Sequence, residues 1–575
     1  MFRLAKFLKG LIPQTIAAPL CKLIEAIFEL FVPVIIANVI DIGVGGKDKT
    51  YVLTYCSIIA ALAVAGFAIS VTGQFLASKV ALGFGTKLRA ATFEKINSLP
   101  LSEQNRLGGA SLVTRLTGDV MNCQSALNMF LRLVLRIPFV LIGSFVMSMI
   151  ISPILSLMFL AMVIVLTAVI SCVLKLTLPR VRKAQKNLDE ISRLSAQSLT
   201  GARVIRAFSK QADAEAEFDG ASDVTAKTNI AAARISALLN PLTFAVVNLA
   251  IIAVLWFGSG KVYDGALSQG KLVALINYLT QAFFVIVNIG NVFSVFTRSS
   301  ACAARVNEIL DFPAAPDGEL DTVDGFTADN LKASDAAEPI EVLRFSDVCF
   351  AYDGDYDIRH VSFALDYGKT LGIIGGTGSG KSTIVNLIER FYDPACGEIL
   401  FCGKPLSSYK LERLRKSLGY VPQKAAVMSG TLDTNLRIAD EAVTKDRELF
   451  ALQTAQATEL LASHGFDGYI SDGGKNLSGG QRQRVNIARA LCRDNILYLF
   501  DDATSALDYK TERDFIEAVK KVDGAKIFVS QRISAVSGCD AILVLDGGAV
   551  VGYGTHAELK KSCPLYAEFC ASQQG

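Results

Sequence analysis

A glycine-rich run carries the strongest chemical signal in the sequence. The apolar segment Thr370–Ile374 leads into Gly375-Gly376-Thr377-Gly378-Ser379-Gly380-Lys381-Ser382, and Thr383 continues into an apolar helical stretch. Glycines let backbone N–H groups close around phosphate oxygens, and the helix N-terminus adds positive potential. In a strand–loop–helix of this spacing, Lys381 supplies a point charge for the outer phosphates and Ser382 an oxygen for magnesium. Chance would produce about 0.02 such matches in a chain this long, so a nucleotide is expected against Gly375–Thr383. Roughly 120 residues later, Ile496–Phe500 reads as a buried strand ending in Asp501. A carboxylate at a strand end is placed to hold magnesium.

Between these two segments lies Leu477-Ser478-Gly479-Gly480-Gln481, followed by Arg482-Gln483-Arg484 and a helical pattern. This pentapeptide is the signature of ATP-binding-cassette (ABC) ATPases, and residues 340–575 resemble that family with every expected element in order. The resemblance implies ATP and Mg²⁺ as cofactors. It makes Tyr352 the aromatic that stacks on adenine, and Gln423 the glutamine that touches magnesium and senses a membrane domain. It places Asp508, in Ser505-Ala506-Leu507-Asp508, in the loop that crosses between two ATPase domains. In this family two such domains stack head to tail, so Ser478, Gly479 and Gly480 would meet an ATP held by the partner's phosphate loop.

Two positions depart from the family. Where it has a glutamate directly after the strand-end aspartate, to polarise the attacking water, this chain has Asp502. A carboxylate one methylene shorter sits about 1 Å or more from its working position, which can cost on the order of 10²-fold in rate. Where the family has a histidine at the γ-phosphate, about 30 residues on, the segment reads Phe528-Val529-Ser530-Gln531-Arg532. The chain has three histidines, His360, His464 and His556, and none aligns there. Gln531 can hydrogen-bond but cannot become cationic. The expectation is a site that binds ATP and hydrolyses it weakly, with an intact signature that serves a partner whose own glutamate and histidine are present. The chain is most similar in this respect to the degenerate-site subunit of bacterial heterodimeric multidrug exporters.

The elements that position these residues follow from composition. Half of the 575 residues (51%) are hydrophobic, so membrane spans are expected. Spans are predicted at about 13–42, 52–82, 125–150, 153–178, 237–259 and 271–296, with a tight hairpin at Ser152-Pro153. Basic residues crowd two connections, including Arg89, Lys95 and Arg106 in the first and Arg180, Lys186 and Arg206 in the second. That bias places both connections and both termini in the cytosol. Both connections read as helices, turning at about Leu116–Asn122 and Ala207–Ala212, and matching the coupling segments of exporter-type membrane domains. An acidic linker, 313–339, separates this all-α membrane domain (1–312) from the α/β ATPase domain (340–575). A net charge of +3 is close to zero for this length and argues for neither nucleic acid nor an acidic partner, so no nucleic acid is expected. The twelve cysteines show no metal-ligand spacing and read as reduced thiols.

Glu25 and Glu29 lie four apart on the first span, and Arg132 and Arg136 four apart on the third. At similar depth they are expected to meet, either as a helix-locking network or in a substrate or gating role. The resemblance then implies ATP-driven export of drugs, lipids or other small amphipathic substrates across the cytoplasmic membrane, by this chain paired with a second half-transporter. A nucleotide-binding regulator without transport, and an importer built on the exporter fold, are the alternatives.

Overall fold

The computed structural model describes residues 2–313, 317–320 and 340–573, so most of the expected linker 313–339 lies outside the described residues. The chain divides into two compact units, Met1–Asn97 with Gly108–Pro313 and Ser98–Leu107 with Ala314–Gly575.

The first unit is helical. Among the described residues six helices are long and apolar enough to cross a membrane: Ile12–Val44, Lys49–Asn97, Gly109–Ile151, Pro153–Thr200, Gln211–Tyr263 and Gln269–Leu310. Each contains one predicted span and several run well past it. Ser152 is extended (φ −157°, ψ 109°) and Pro153 starts the next helix, as the Ser-Pro junction requires. The second connection breaks at Phe208–Lys210, where Ser209 has φ 54°, within the predicted turn.

The first connection turns elsewhere than predicted. The helix ends at Asn97, a short helix Leu101–Leu107 follows, and Gly108 (φ 74°) reverses the chain into Gly109. Leu116–Asn122 is helical throughout, its first part with π geometry at Arg115–Asp119. Two ion pairs hold that segment against the last helix. Buried Asp119 accepts from Arg305 Nε at 2.7 Å and Nη2 at 2.5 Å, and Arg115 Nη1 donates to Glu308 Oε2 at 2.7 Å. A proline at 100 and a left-handed glycine at 108 outweigh the polar residues that suggested a turn at Leu116.

The membrane charges meet in part. Arg136 Nη2 lies 2.7 Å from Glu29 Oε2 and 3.9 Å from Glu25 Oε1. Glu25 also accepts from Lys22 at 2.6 Å, and Lys22 reaches Ser70 at 2.9 Å. Arg132 does not join them: among the described residues no ion pair links it to Glu25 or Glu29, and its buried Nε has no partner. A helix that alternates α and π turns at Phe130–Val134 no longer keeps residues 132 and 136 on one stripe.

The second unit is α/β. Its strands are β1 (Glu341–Phe350), β2 (Ile358–Asp366), β3 (Thr370–Gly375), β4 (Cys396–Phe401), β5 (Lys404–Pro405), β6 (Leu418–Val421), β7 (Gly430–Thr431), β8 (Tyr469–Ile470), β9 (Leu497–Asp501), β10 (Ala525–Ser530), β11 (Ala541–Asp546) and β12 (Ala549–Gly554). A six-stranded sheet runs β12-β11-β3-β10-β9-β6, parallel except for β12, and an antiparallel sheet runs β2-β1-β4-β5. Strands β3, β9 and β10 are buried along their whole length, as central parallel strands must be. Apolar clusters cover the large sheet; Phe500 stacks on Phe528 at 5.0 Å in one of them. Cys349 and Cys396 are disulfide-bonded across β1 and β4, contrary to the reading of all twelve cysteines as thiols; strand pairing brings them opposite each other although 47 residues separate them.

Candidate nucleotide site

Sheet topology assembles the site. In a parallel α/β sheet, loops at the carboxyl ends of adjacent strands share one crevice. Strand β3 ends in the glycine-rich loop. Its neighbour β10, with Ser530 level with Ile374, ends just before Gln531, and β9, with Asp501 level with Val529, ends in Asp501. One sheet edge therefore gathers three segments that lie up to about 160 residues apart in sequence.

The loop's geometry suits phosphate. Gly378 and Gly380 have φ 80° and 94°, a region that only glycine enters without strain. A Cβ on Gly380 would stand 2.5 Å from Ile358 Cδ1, so the second sheet presses directly on the loop. The helix Lys381–Ile388 starts from Gly380 with no side-chain cap, which leaves its first N–H groups for a ligand. A cavity of about 280 Å³ opens there, lined by Thr377 to Thr383 with Asp357, Gln423 and Gln531. Sequence reasoning missed Asp357, which lies in the chain entering β2 and carries no motif of its own.

Lys381 Nζ donates to the carbonyls of Gly375 (2.8 Å) and Gly376 (2.6 Å), folded over the loop. Burial lowers its pKa, and the carboxylates of Asp502 and Asp501 act against that. Ser382 Oγ donates to Asp501 Oδ1 at 3.1 Å. A hydroxyl and a carboxylate at that separation, with the Gln423 amide on the cavity wall, form a hard-oxygen set suited to Mg²⁺, whose charge would offset that of the outer phosphates. Burial raises the Asp501 pKa against the Ser382 bond.

Asp502 sits in a left-handed backbone turn (φ 49°), fixed by its N–H to Val529 O at 2.8 Å. Burial raises its pKa, while the Gln423 side chain, Arg532 and Lys381 hold it down. Gln531 lines the cavity, in a segment gripped from the C-terminal helix. Gln573 Nε2 donates to Gln531 O and Gln573 Oε1 accepts from Ile533 N, both at 2.8 Å. This clamp is invisible in sequence, since the contact spans 42 residues. Arg532 points away, to Ser505 O and Leu507 O.

Tyr352, two residues past β1, is half-exposed (43%) and lies beside the loop's helix. Its hydroxyl accepts from Asn386 Nδ2 at 3.1 Å and lies 3.5 Å from Thr383 Oγ1. Tyr392 packs edge-on against it at 5.0 Å and Phe350 at 4.8 Å.

The signature residues are not brought to this cavity. Leu477 is buried; Ser478 caps the helix Gly479–Leu491 through Gln481 N, and Gln481 Oε1 returns to Ser478 N at 2.8 Å. Beyond Gly479 nothing stands within 4 Å of where a Cβ would be, while Gly480 faces Ala506 O at 3.0 Å. Asp508 is likewise apart from the phosphate loop and caps the helix Tyr509–Lys520 through Thr511 N at 3.2 Å.

Comparisons with known proteins agree with this architecture. Residues 15–287 match the ABC transporter transmembrane region family, and residues 358–505 the ABC transporter family. An uncharacterized ABC transporter ATP-binding protein of Mycobacterium tuberculosis is 33% identical over 96% of this chain and 94% of its own length. A Bacillus subtilis protein described in the same terms is 31% identical over 97% and 96%. A putative export ATP-binding/permease protein of Rickettsia conorii is 28% identical over 100% and 99%. The structure of a bacterial Atm1-family ABC exporter with ATP bound superposes with a TM-score of 0.80 over 98% of this chain and 99% of that one, at 24% identity, and so shares the fold. A six-helix membrane unit fused to an α/β unit with phosphate loop, strand-end aspartate and signature identifies this chain as a member of the ABC transporter family.

Proposed function

We propose that this chain is one subunit of a heterodimeric ABC exporter in the cytoplasmic membrane, with both termini cytosolic, and that its own phosphate-loop site retains ATP while hydrolysing it weakly. Residues 1–312 form the translocating domain, 313–339 the linker and 340–575 the ATPase domain. The observation that carries this reading is that both departures from the family pattern fall beside the phosphate loop: Gln531 lines the loop cavity, and Asp502 directly follows Asp501, whose carboxylate meets Ser382 of the loop at 3.1 Å. One carboxylate is too short to reach the attacking water, and one side chain cannot become a cation at the γ-phosphate.

Within the site, Gly375–Ser382 hold the phosphates, Thr383 continues the cradle, Tyr352 stacks on the base, and Ser382, Asp501 and Gln423 hold Mg²⁺. Leu477–Gln481 meet the ATP bound by the partner, whose glutamate and histidine perform most of the hydrolysis. ATP between the two domains closes them, and closure turns the membrane cavity outward. Helix Leu101–Leu107, which groups with the ATPase unit, and the turn at Ala207–Ala212 transmit that movement. The cargo is a small amphipathic compound drawn from a mainly apolar bundle.

The test is purification of this chain alone and with a similar-sized partner carrying Asp-Glu at the end of its β9 equivalent. ATPase activity and dye uptake into vesicles are expected only from the pair. Brisk turnover by a symmetric assembly of this chain alone would refute the division of labour.

A further inference from the structure

The disulfide in the second unit sits where a change in covalent state would be felt by nucleotide. Cys349 and Cys396 face each other across antiparallel β1 and β4, with Cα atoms 4.9 Å apart. The other ten cysteines are free. Cys349 lies three residues before Tyr352, and Cys396 four after Tyr392, so the bond joins the two strands that carry the aromatic cluster of Phe350, Tyr352 and Tyr392. Ala395 N donates to Cys349 O at 2.8 Å, extending the same seam.

The surroundings are arranged for this pair. The β1–β4 register slips between Ser346 and Cys349, where Asp347 (φ 52°) and Gly397 (φ 75°) have left-handed backbones, and the β1–β2 register slips beside His360 (φ 49°), the third such residue. Two of them are not glycine, so the local fold pays some backbone energy to hold the bulge. A Cβ on Gly397 would fall 2.2 Å from Asp347 O, so only glycine lets β4 approach closely enough for the sulfurs to meet. His360 Nδ1 stands 3.7 Å from Cys349 Sγ and 2.9 Å from Asp347 Oδ1. Cys349 is 1% exposed, whereas Cys396 is partly open to solvent. One accessible sulfur, one buried sulfur and an adjacent imidazole are the components of a thiol–disulfide exchange site.

We propose that Cys349 and Cys396 are a reversible redox-modification site, closed and opened by exchange with low-molecular-weight disulfides and thiols of the glutathione class, and that closure tightens the grip of Tyr352 on nucleotide. In the closing direction the Cys396 thiolate attacks the small disulfide, forming a mixed disulfide and releasing one small thiolate. Cys349 then gives its proton to the released small thiolate and attacks the Cys396 sulfur; the mixed disulfide breaks and the second small thiolate leaves, taking a proton from solvent. Two electrons pass from the protein to the small disulfide. The open pair lets the bulge relax and the two strands part slightly, which loosens the Tyr352–Tyr392 packing. Reversibility follows from a cytosolic domain, where thiol pools keep most disulfides transient. The proposal rests on the cytosolic placement proposed above for its reversibility and on the nucleotide reading for its second half.

The experiment uses the full chain in lipid nanodiscs, equilibrated across reduced-to-oxidised glutathione ratios, alkylated and digested, with the Cys349–Cys396 peptide read by mass. Affinity for a fluorescent ATP analogue is measured on the same samples. The pair is expected to pass reversibly from open to closed, with affinity rising on the order of fivefold in step, as pre-organisation of the aromatic face implies. The Cys349→Ser/Cys396→Ser variant should stay at the open-state affinity throughout, with Cys396→Ala alone as the milder control. A pair locked in one state, a closure that leaves affinity unchanged, or a redox response that survives in the double variant overturns the proposal. A chain that binds no analogue in either state refutes the nucleotide reading and the coupling together, while the mass readout still decides whether the bond is reversible.

Discussion

Two helix starts in the second unit look alike in sequence and differ in what they do with their free backbone donors. The helix Lys381–Ile388 begins at a left-handed glycine with no side-chain cap. The helix Gly479–Leu491 begins at Ser478 with a reciprocal cap to Gln481. The first leaves its amides for a ligand; the second is capped by its own side chains and leaves Ser478 and Gly479 exposed. On the proposed function, the first start holds nucleotide and the second completes a partner's site. The departures from the family fall on the first side only. The Lys381 side carries the shortened Asp502 and the neutral Gln531, while the signature is whole.

The comparison can be broken most sharply by repair. Asp502→Glu combined with Gln531→His should raise hydrolysis at this chain's own site by about 10²-fold in the assembled pair, read as single-turnover cleavage with the partner's site disabled. No gain would mean that some other defect, or none, governs the site. Next in size, Lys381→Ala should weaken nucleotide binding to this chain roughly 10- to 100-fold, since a charged donor to phosphate is lost; equilibrium binding of an ATP analogue measures it. Gly479→Asp then sharpens the contrast from the other side. Its side chain meets open space, so the fold is kept. This chain's own ATP affinity should hold, while turnover of the pair falls by about tenfold as the new anion repels the partner's γ-phosphate.

The smallest effect is on stability and joins the two helices. Glu389 ends the phosphate-loop helix, and its charge is offset by Arg415 and by Arg493, just beyond the signature helix. Burial pushes its pKa up to about 7 from an ordinary 4.5. Between those values the folded state holds the proton more tightly than the unfolded chain, so this contribution is full below about pH 4.5 and is lost as pH rises towards 7. Glu389→Gln should flatten that slope and raise the thermal midpoint by a few degrees at pH 8, as followed by calorimetry. An unchanged pH profile would place the charge elsewhere.

Much of this was legible beforehand because the signals were local. The phosphate loop, the strand-end aspartate and the six apolar stretches each declare themselves within a short window, and the helices contain the predicted spans. What failed was non-local or conformational. The turn expected at Leu116–Asn122 lies instead at 98–108, because partners on a distant helix, Arg305 and Glu308, hold residues 115–119 helical. Arg132 was placed with Arg136 by a four-residue spacing that a π turn does not keep. Asp357 reached the cavity, and Cys349 met Cys396, only through sheet pairing that no motif encodes.

One of these long-range contacts has a practical reach. Gln573 holds the backbone on both sides of residue 532 from the helix Pro564–Gln573. That helix is thus a handle on the segment that lines the phosphate-loop cavity. An antibody fragment, a regulatory protein or a fused tag that tugs on it would retune nucleotide handling from the far end of the chain, with no change to any residue that nucleotide touches.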